Sequence, residues 1–407
     1  MKNMKRNKST MFFFAVMTLF SMTCSFAHPV TPSLFKQLEL ADYMFGISLA
    51  CMSFGNLLFS PVWGTLIGYR SSRSIMLVCC IGYGIGQLCF VLCRSVMAVV
   101  LVRFLTGIFV GGIFVAMLTY VVNTAEDEQV RSKHLVYMAT IEGVFNSVGY
   151  FVGGMLGEIS ITVAVLVQAA CLTLCGVLFR LVCRNDAKPE LGHPQGRELV
   201  KQLNVFHAFA QGKPFIGCLI GLLFAVCALQ NFSQTCFDQS FNYYVIDQIG
   251  LSTGYNGAIK GMMGLVTLLA NSTICVWLMK KTDVKKSLIA VLFLCSMTMS
   301  AILLMKDLIP FLILNVVFYA MSAISIPMIQ SLAASEGTRS GYDGNLVMSF
   351  YNALKNLGGI IGALLAGFTY MVTPKTPFVC CVFGFLCAGT CAVVYAVRVK
   401  KEVRKHA

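Results

Sequence analysis

Apolar stretches long enough to cross a bilayer recur along nearly the whole of this 407-residue chain. Roughly twenty apolar residues in an α-helix span the hydrocarbon layer, and a segment placed there must satisfy its backbone hydrogen bonds internally. Twelve stretches qualify: 11–30, 42–66, 74–92, 97–121, 134–157, 161–182, 214–238, 252–279, 287–305, 308–332, 345–370 and 377–398. Charged residues make up only 12% of the chain, about half the share of a soluble domain, so these runs are too many and too long for buried cores. The expected fold is all-α and integral to a membrane.

The net charge of +14 would suit a nucleic-acid binder, but its distribution points elsewhere. With both termini in the cytoplasm, 24 of the 31 Lys and Arg residues fall on the cytoplasmic side or at its boundary, among them Lys5, Arg70, Arg131, Arg197, Lys281 and Arg404. The opposite face keeps Lys36, Arg94, Lys306 and Lys375, and three cations lie within spans: Arg103, Lys260 and Lys355. This positive-inside pattern explains the basic charge without nucleic acid and sets both termini in the cytoplasm. The expected location is a bacterial cytoplasmic (inner) membrane. The basic start followed by an apolar run and Ser25-Phe26-Ala27 also resembles a secretory signal. Retention as the first span is the favoured reading, because cleavage would leave eleven spans and a new terminus at His28-Pro29.

Nearly all of the 18 cysteines fall within spans and none belongs to a closely spaced Cys/His quartet, so neither a disulfide framework nor a metal site is expected. No extramembranous segment is long enough to bury a core, and no phosphate-binding loop is present. An enzyme and a cofactor are therefore not expected, and the energy source is expected to be a proton gradient. The expected partners are a small-molecule substrate and the lipid bilayer, and the chain is expected to act as a monomer.

The second half repeats the first. Glu142-Gly143-Val144-Phe145-Asn146-Ser147-Val148-Gly149-Tyr150-Phe151-Val152-Gly153 aligns with Tyr351-Asn352-Ala353-Leu354-Lys355-Asn356-Leu357-Gly358-Gly359-Ile360-Ile361-Gly362. Gly149 falls on Gly358 and Gly153 on Gly362. A hydrophobic duplication on this scale is the mark of a secondary transporter built from related halves. The longest polar interval lies between the sixth and seventh spans. It divides the chain into a six-helix bundle at 1–183, a cytoplasmic linker at 184–213 and a second six-helix bundle at 214–407.

Several motifs resemble those of the major facilitator superfamily, and within it the twelve-span drug:proton antiporters. His28-Pro29-Val30-Thr31-Pro32 resembles the Pro-x-x-Pro close of the first span, and Pro61-Val62-Trp63-Gly64 resembles the start of the 2–3 loop signature. Arg103 and Gly107 resemble the fourth-span Arg-x-x-x-Gly motif, and Gly149-Tyr150-Phe151-Val152-Gly153-Gly154 the fifth-span antiporter motif. Two positions depart from the pattern. The 2–3 loop keeps the basic Arg70 and Arg73 but has Gly68 where Asp is usual, whereas the later loop keeps Asp283. In the fifth span, Tyr150 stands where Pro is usual. The resemblance implies the major facilitator fold, two pseudo-symmetric six-helix bundles around a central cavity lined by spans one, four, seven and ten. It also implies structural or gating roles for Gly64, Arg70, Arg73, Arg103, Gly107, Gly149, Gly153, Gly154 and Asp283.

Polar residues inside spans mark the candidate site, because each ionisable group at the bilayer centre costs roughly 2.5–3.5 kcal/mol unless it has a partner or water. Glu142, Asn146, Gly149 and Gly153 form one narrow helical stripe, repeated by Tyr351, Lys355, Gly358 and Gly362. Glu142 and Lys355 read either as a fixed pair or as a titrating acid and a substrate-sensing charge. On the seventh span, Gln230, Asn231, Gln234, Asp238 and Asn242 share a face too polar for lipid. Asp238 is the leading candidate for proton coupling, with Glu142 and His28 as further titrating groups. Asn231, Gln234, Asn315, Tyr319, Tyr351, Lys355 and Asn146 are the candidate cavity residues. The expected function is proton-coupled efflux of a small amphipathic compound. The alternatives are a carrier of a sugar, amino acid or organic anion, and a non-transporting membrane receptor.

Overall fold

The structure, a computed structural model, describes residues 2–186, 219–341 and 344–406, so the expected linker from 187 onward lies outside the described residues. Among the described residues every regular element is helical. The chain runs through α1 (Lys2–Cys24), the short α2 (Thr31–Gln37), α3 (Met44–Tyr69), α4 (Ser72–Leu92), α5 (Val96–Thr124), α6 (Glu128–Ile159) and α7 (Ile161–Val182). It continues through α8 (Leu219–Asp247), α9 (Thr253–Ala270), a π-helical turn (Asn271–Cys275), α10 (Val276–Lys281), α11 (Val284–Leu304), α12 (Leu308–Arg339), α13 (Gly344–Tyr370) and α14 (Thr376–His406). With α9 and α10 taken as one interrupted helix, these are the twelve spans read from the sequence plus α2.

The faces of these helices are those of a protein in lipid. Leu181 and Leu304 are 73% and 77% exposed, whereas Gln168 and Asn315 are fully buried. A hydrocarbon surround leaves apolar side chains at no disadvantage outside and makes every polar group seek a protein partner. Loop residues set the helix starts: Asp127 accepts the Val130 amide at 2.7 Å to open α6, and Asp283 accepts the Lys285 amide at 3.0 Å to open α11.

The first helix stops at Cys24, six residues before the expected boundary at 30. The apolar run continues, but Pro29 and Pro32 cannot donate backbone hydrogen bonds, and their rings crowd the carbonyls one turn back. Tighter bonds replace the α-helical ladder, from the Phe26 amide to the Thr23 carbonyl (3.1 Å) and from the His28 amide to the Ser25 carbonyl (3.2 Å), before α2 begins.

The chain forms two compact units. One comprises Met1–Met44, Cys51–Val205 and Val245–Gly264, and the other Phe45–Ala50, Phe206–Tyr244 and Leu265–Ala407. In the first, α4 packs on α5 and α7, and α1 on α6 and α7. In the second, α11 packs on α12 and α14 in the repeat-related arrangement.

The duplicated glycines make the same contact in each unit. A Cβ at Gly149 or Gly153 would collide with the carbonyl oxygens of Met22 and Phe26 on the first-span segment. A Cβ at Gly358 or Gly362 would collide with those of Ala228 and Phe232 on α8. Backbone atoms cannot yield as a flexible side chain can, so helix approach at these four places depends on the missing methyl. Gly143, on the same helix as Gly149, has open space around its Cβ position. Gly153→Val and Gly362→Val should each destabilise the protein by about 1–3 kcal/mol through overpacking. Gly143→Ala should be neutral or stabilising by up to about 1 kcal/mol. Thermal unfolding of the purified variants in detergent measures both, and equal behaviour at 143 and 153 would contradict the packing argument.

Candidate functional site

Among the described residues, polar side chains cluster in both units. In the first unit, one cluster is organised by the break after α1. Ending a helix leaves its last carbonyls open, and Gln168 on α7 donates to those of Thr23 and Cys24 at 3.1 and 3.0 Å. The Tyr83 hydroxyl donates to the Cys24 carbonyl at 3.3 Å. His28, half-buried on the turn that follows, stacks on Tyr150 with ring centroids 5.3 Å apart and planes 17° apart. The residue that stands where the antiporter motif expects Pro is thus the one that holds the histidine. Asn256 on α9 donates to the Pro29 carbonyl at 3.3 Å, and the charges of Arg103 and Lys260 act on the His28 imidazole.

Arg103 is buried on α5. Its guanidinium lies 3.5 Å from the centre of the Phe90 ring and donates to Gln87 Oε1 at 3.4 Å and to the Met52 sulfur at 3.8 Å, while its buried Nε has no partner. One turn on, a Cβ at Gly107 would collide with the Met52 carbonyl, which explains the glycine there. Glu142 and Asn146 on α6 face the end of α1. Asn146 Oδ1 accepts from Cys24 Sγ and Ser25 Oγ, both at 3.3 Å, and the charge of Glu142 acts on the Cys24 thiol. Gly154 packs on Gly257 of α9. One turn further, Glu158 accepts the Gly254 amide at 2.6 Å, so a carboxylate sits at the start of that helix.

In the second unit the polar face of α8 meets α12. Ser322 donates to Gln234 Oε1, and Gln234 Nε2 donates to Asp238 Oδ2 at 3.1 Å. Asn231 and Tyr319 are half-buried nearby, the Tyr319 ring 6.1 Å from that of Phe237. Asn315 is fully buried and donates to the Phe311 carbonyl of its own helix at 2.7 Å. Tyr351 is buried with its carbonyl accepting from Cys227 Sγ at 3.9 Å, and the charge of Lys355 acts on the same thiol. Lys355 on α13 occupies the position aligned with Asn146 on α6.

The sequence shows no acidic residue in the 2–3 loop signature, but the fold brings one to it. Asp186, just after α7, accepts the Ser72 amide at 2.7 Å, the Ser72 hydroxyl at 2.5 Å and Asn123 Nδ2 at 3.2 Å. Arg73 donates to the Cys183 carbonyl at 3.3 Å. One carboxylate thus opens α4 and ties it to the ends of α5 and α7. Arg70 is exposed at the end of α3, its amide bonded to the Leu66 carbonyl, and Gly64 has only the Val115 side chain near its Cβ position. The second unit has a counterpart in Glu336, which accepts from Arg339 at 2.7 Å and from the Tyr395 hydroxyl at 2.9 Å, with Arg339 reaching Glu402 at 3.1 Å. Asp186 and Gln168 were not singled out from the sequence, since only tertiary structure gives them their partners, whereas Tyr150 was legible as the departure from the fifth-span motif and Ser322 as a polar residue of the tenth span.

A family profile described as Major Facilitator Superfamily matches residues 11–342. Multidrug resistance protein 1 of Bacillus subtilis (strain 168) is 24% identical over 358 residues, 86% of each chain. Among solved structures, the human organic anion transporter MFSD10 (TETRAN) superimposes with a TM-score of 0.68 at 16% identity, covering 95% of this chain and 99% of that one. The nucleoside transporter NupG gives 0.72 at 12% identity, with 97% and 99% covered. A D-xylose-proton symporter gives 0.68 at 15% identity, with 95% of both chains covered. At these identities the structural likenesses speak to the fold alone.

Removing Asp186 leaves the Ser72 amide and hydroxyl without their acceptor. Asp186→Ala should cost about 1–3 kcal/mol, the usual loss for hydrogen bonds to a charged group. Hydrogen exchange at the start of α4 should accelerate selectively, and unchanged protection there would show that the carboxylate does not cap the helix.

Proposed function

Because this chain belongs to the Major Facilitator Superfamily, a superfamily of membrane transporters rather than enzymes, we propose that it exports small amphipathic compounds in exchange for protons by alternating access. The observation that carries the reading is the relay from Ser322 through Gln234 to Asp238. As an acceptor of the Gln234 amide, Asp238 is ionised or presents its unprotonated oxygen, and this fixes the amide with its oxygen toward Ser322. Protonating that oxygen turns an acceptor into a donor. Gln234 must then rotate or let go, and its grip on α12 through Ser322 changes with it. A proton on α8 thereby alters the packing of α8 against α12, which is the coupling an antiporter requires.

Glu142, with Asn146 against the end of α1, is the second proton-accepting position, and His28 stacked on Tyr150 is a relay between solvent and the outer part of α1. Lys355, Tyr351, Asn231 and Tyr319 supply polar and aromatic surface for the cargo. The similarity to Multidrug resistance protein 1 supports the amphipathic cargo class. The protein is proposed to work as a monomer in a bacterial cytoplasmic membrane with both termini cytoplasmic, and to need no cofactor.

A second reading, an organic-anion carrier, is favoured by one observation. Arg103 is 6% exposed and, among the described residues, meets an amide, a sulfur and an aromatic ring but no carboxylate. A buried guanidinium of this kind is suited to an anionic guest.

The test is flux in proteoliposomes of known orientation under an imposed proton gradient, with a lipophilic cation (tetraphenylphosphonium) and an aromatic carboxylate as alternative cargoes. Asp238→Asn should lower gradient-driven cation flux by more than about tenfold, the scale of one lost proton-coupled contact. Glu142→Gln should lower it as well. If both variants keep wild-type pH-dependent transport, the coupling mechanism is wrong. If only the carboxylate moves, and Arg103→Gln abolishes that movement, the second reading replaces the first.

A further inference from the structure

Where α1, α5 and α6 come together, at the end carrying the basic segments, a cavity of about 370 Å³ is lined by Phe14, His134, Tyr137, Lys133, Glu126 and Thr124, among others. Its volume lies at the lower end of the range that holds small-molecule ligands. Three rings form its aromatic wall. Phe14 and His134 meet edge to face with centroids 5.4 Å apart, and Phe14 and Tyr137 with centroids 6.0 Å apart and planes 84° apart. His134 and Tyr137 complete the set at 6.5 Å. Perpendicular rings turn both faces and edges toward a common space. Tyr137 is 44% exposed, so this cluster is not sealed core.

An aromatic belt at a membrane interface would explain single exposed rings, but these three wall a cavity and share it with a carboxylate. Ring faces attract cations, and the face of Tyr137 already has one: Lys133 Nζ lies 5.8 Å from its centroid on an exposed, flexible side chain. Glu126 also lines a neighbouring polar cavity of about 510 Å³ that contains Arg184 and Asn185, and Thr124 is shared as well.

We infer that the Phe14–His134–Tyr137 cavity is a loading site for planar aromatic cations on the proposed cytoplasmic side, where cargo is held before it is transported. The aromatic part of the ligand packs among the three rings, its positive charge takes the Tyr137 face from Lys133, and Glu126 supplies the counter-charge. Hydroxyls and the adjoining polar cavity accommodate polar substituents. This assignment rests on the export reading for its role in transport, but the binding itself does not.

Equilibrium binding of ethidium, a planar aromatic cation, to the full chain in nanodiscs without a proton gradient tests it by fluorescence anisotropy. Saturable binding is expected, weakened about tenfold or more by Phe14→Leu with Tyr137→Leu and several-fold by Glu126→Gln, in line with desolvated cation–π and charge contacts. Lys133→Met, on an exposed side chain, should tighten ethidium binding because it removes a competing cation. The proposal is overturned if wild type shows no saturable binding, if the double variant binds as wild type does, or if Lys133→Met weakens ethidium. Flux in proteoliposomes separates the two readings. Binding with these signatures but no gradient-driven ethidium flux leaves the site standing and removes the export reading. Undiminished flux and wild-type binding in the double variant removes the site and leaves export standing.

Discussion

The polar stripes of α6 and α13 are positioned by contacts between glycines and backbone carbonyls. Lipid gives packed helices no hydrophobic reward for associating, so association rests on van der Waals fit and on small residues that let backbones approach. Gly149 and Gly153 meet the Met22 and Phe26 carbonyls, and Gly358 and Gly362 meet those of Ala228 and Phe232. These contacts fix the rotation of α6 on α1 and of α13 on α8. Once rotation is fixed, so is the direction of every residue further along the stripe. Asn146 can reach Ser25 only because the glycines one turn away hold the helices together. On α13 and α8, the Tyr351 carbonyl is brought to Cys227 Sγ, at 3.9 Å.

The sequence made the helices legible because membrane helices are written as long apolar runs, and it made the glycine register legible because the duplication preserves it. It misplaced the end of the first helix. Hydropathy continues through residue 30, whereas the hydrogen-bond ladder fails at Cys24 on account of two downstream prolines. It also could not foresee Asp186. The missing acidic residue of the 2–3 loop is visible in sequence, but its replacement comes from the far end of α7, more than a hundred positions away, and is visible only in three dimensions. Nor does the sequence distinguish a polar side chain turned toward a cavity from one turned back on its own helix. Asn315 is the second kind, bonded to the Phe311 carbonyl, and Gln234 faces another helix; both read alike as polar residues in apolar spans.

Proteins of the same fold include an organic anion transporter, a nucleoside transporter and a xylose-proton symporter. A scaffold shared so widely leaves cargo choice to the side chains grafted onto it. Here the scaffold residues repeat between the halves and the polar residues do not. Glu142 is aligned with Tyr351, and Asn146 with Lys355. The duplicated frame therefore carries different chemistry on its two copies.

The two compact units do not follow the order of synthesis. The first takes in Val245–Gly264 and the second takes in Phe45–Ala50. Gly154 has its close neighbour at Gly257, and Gly46 meets the backbone of Ala363 and Gly367, each partner made long after its mate has left the ribosome. Neither unit can reach its final packing while the chain is half made. During biogenesis the early helices must wait in the bilayer with small-residue faces uncovered, open to the wrong helix or to lipid. An insertion machinery or chaperone that shields such faces would act on this protein late, at the emergence of α9 and α13, rather than at each span in turn.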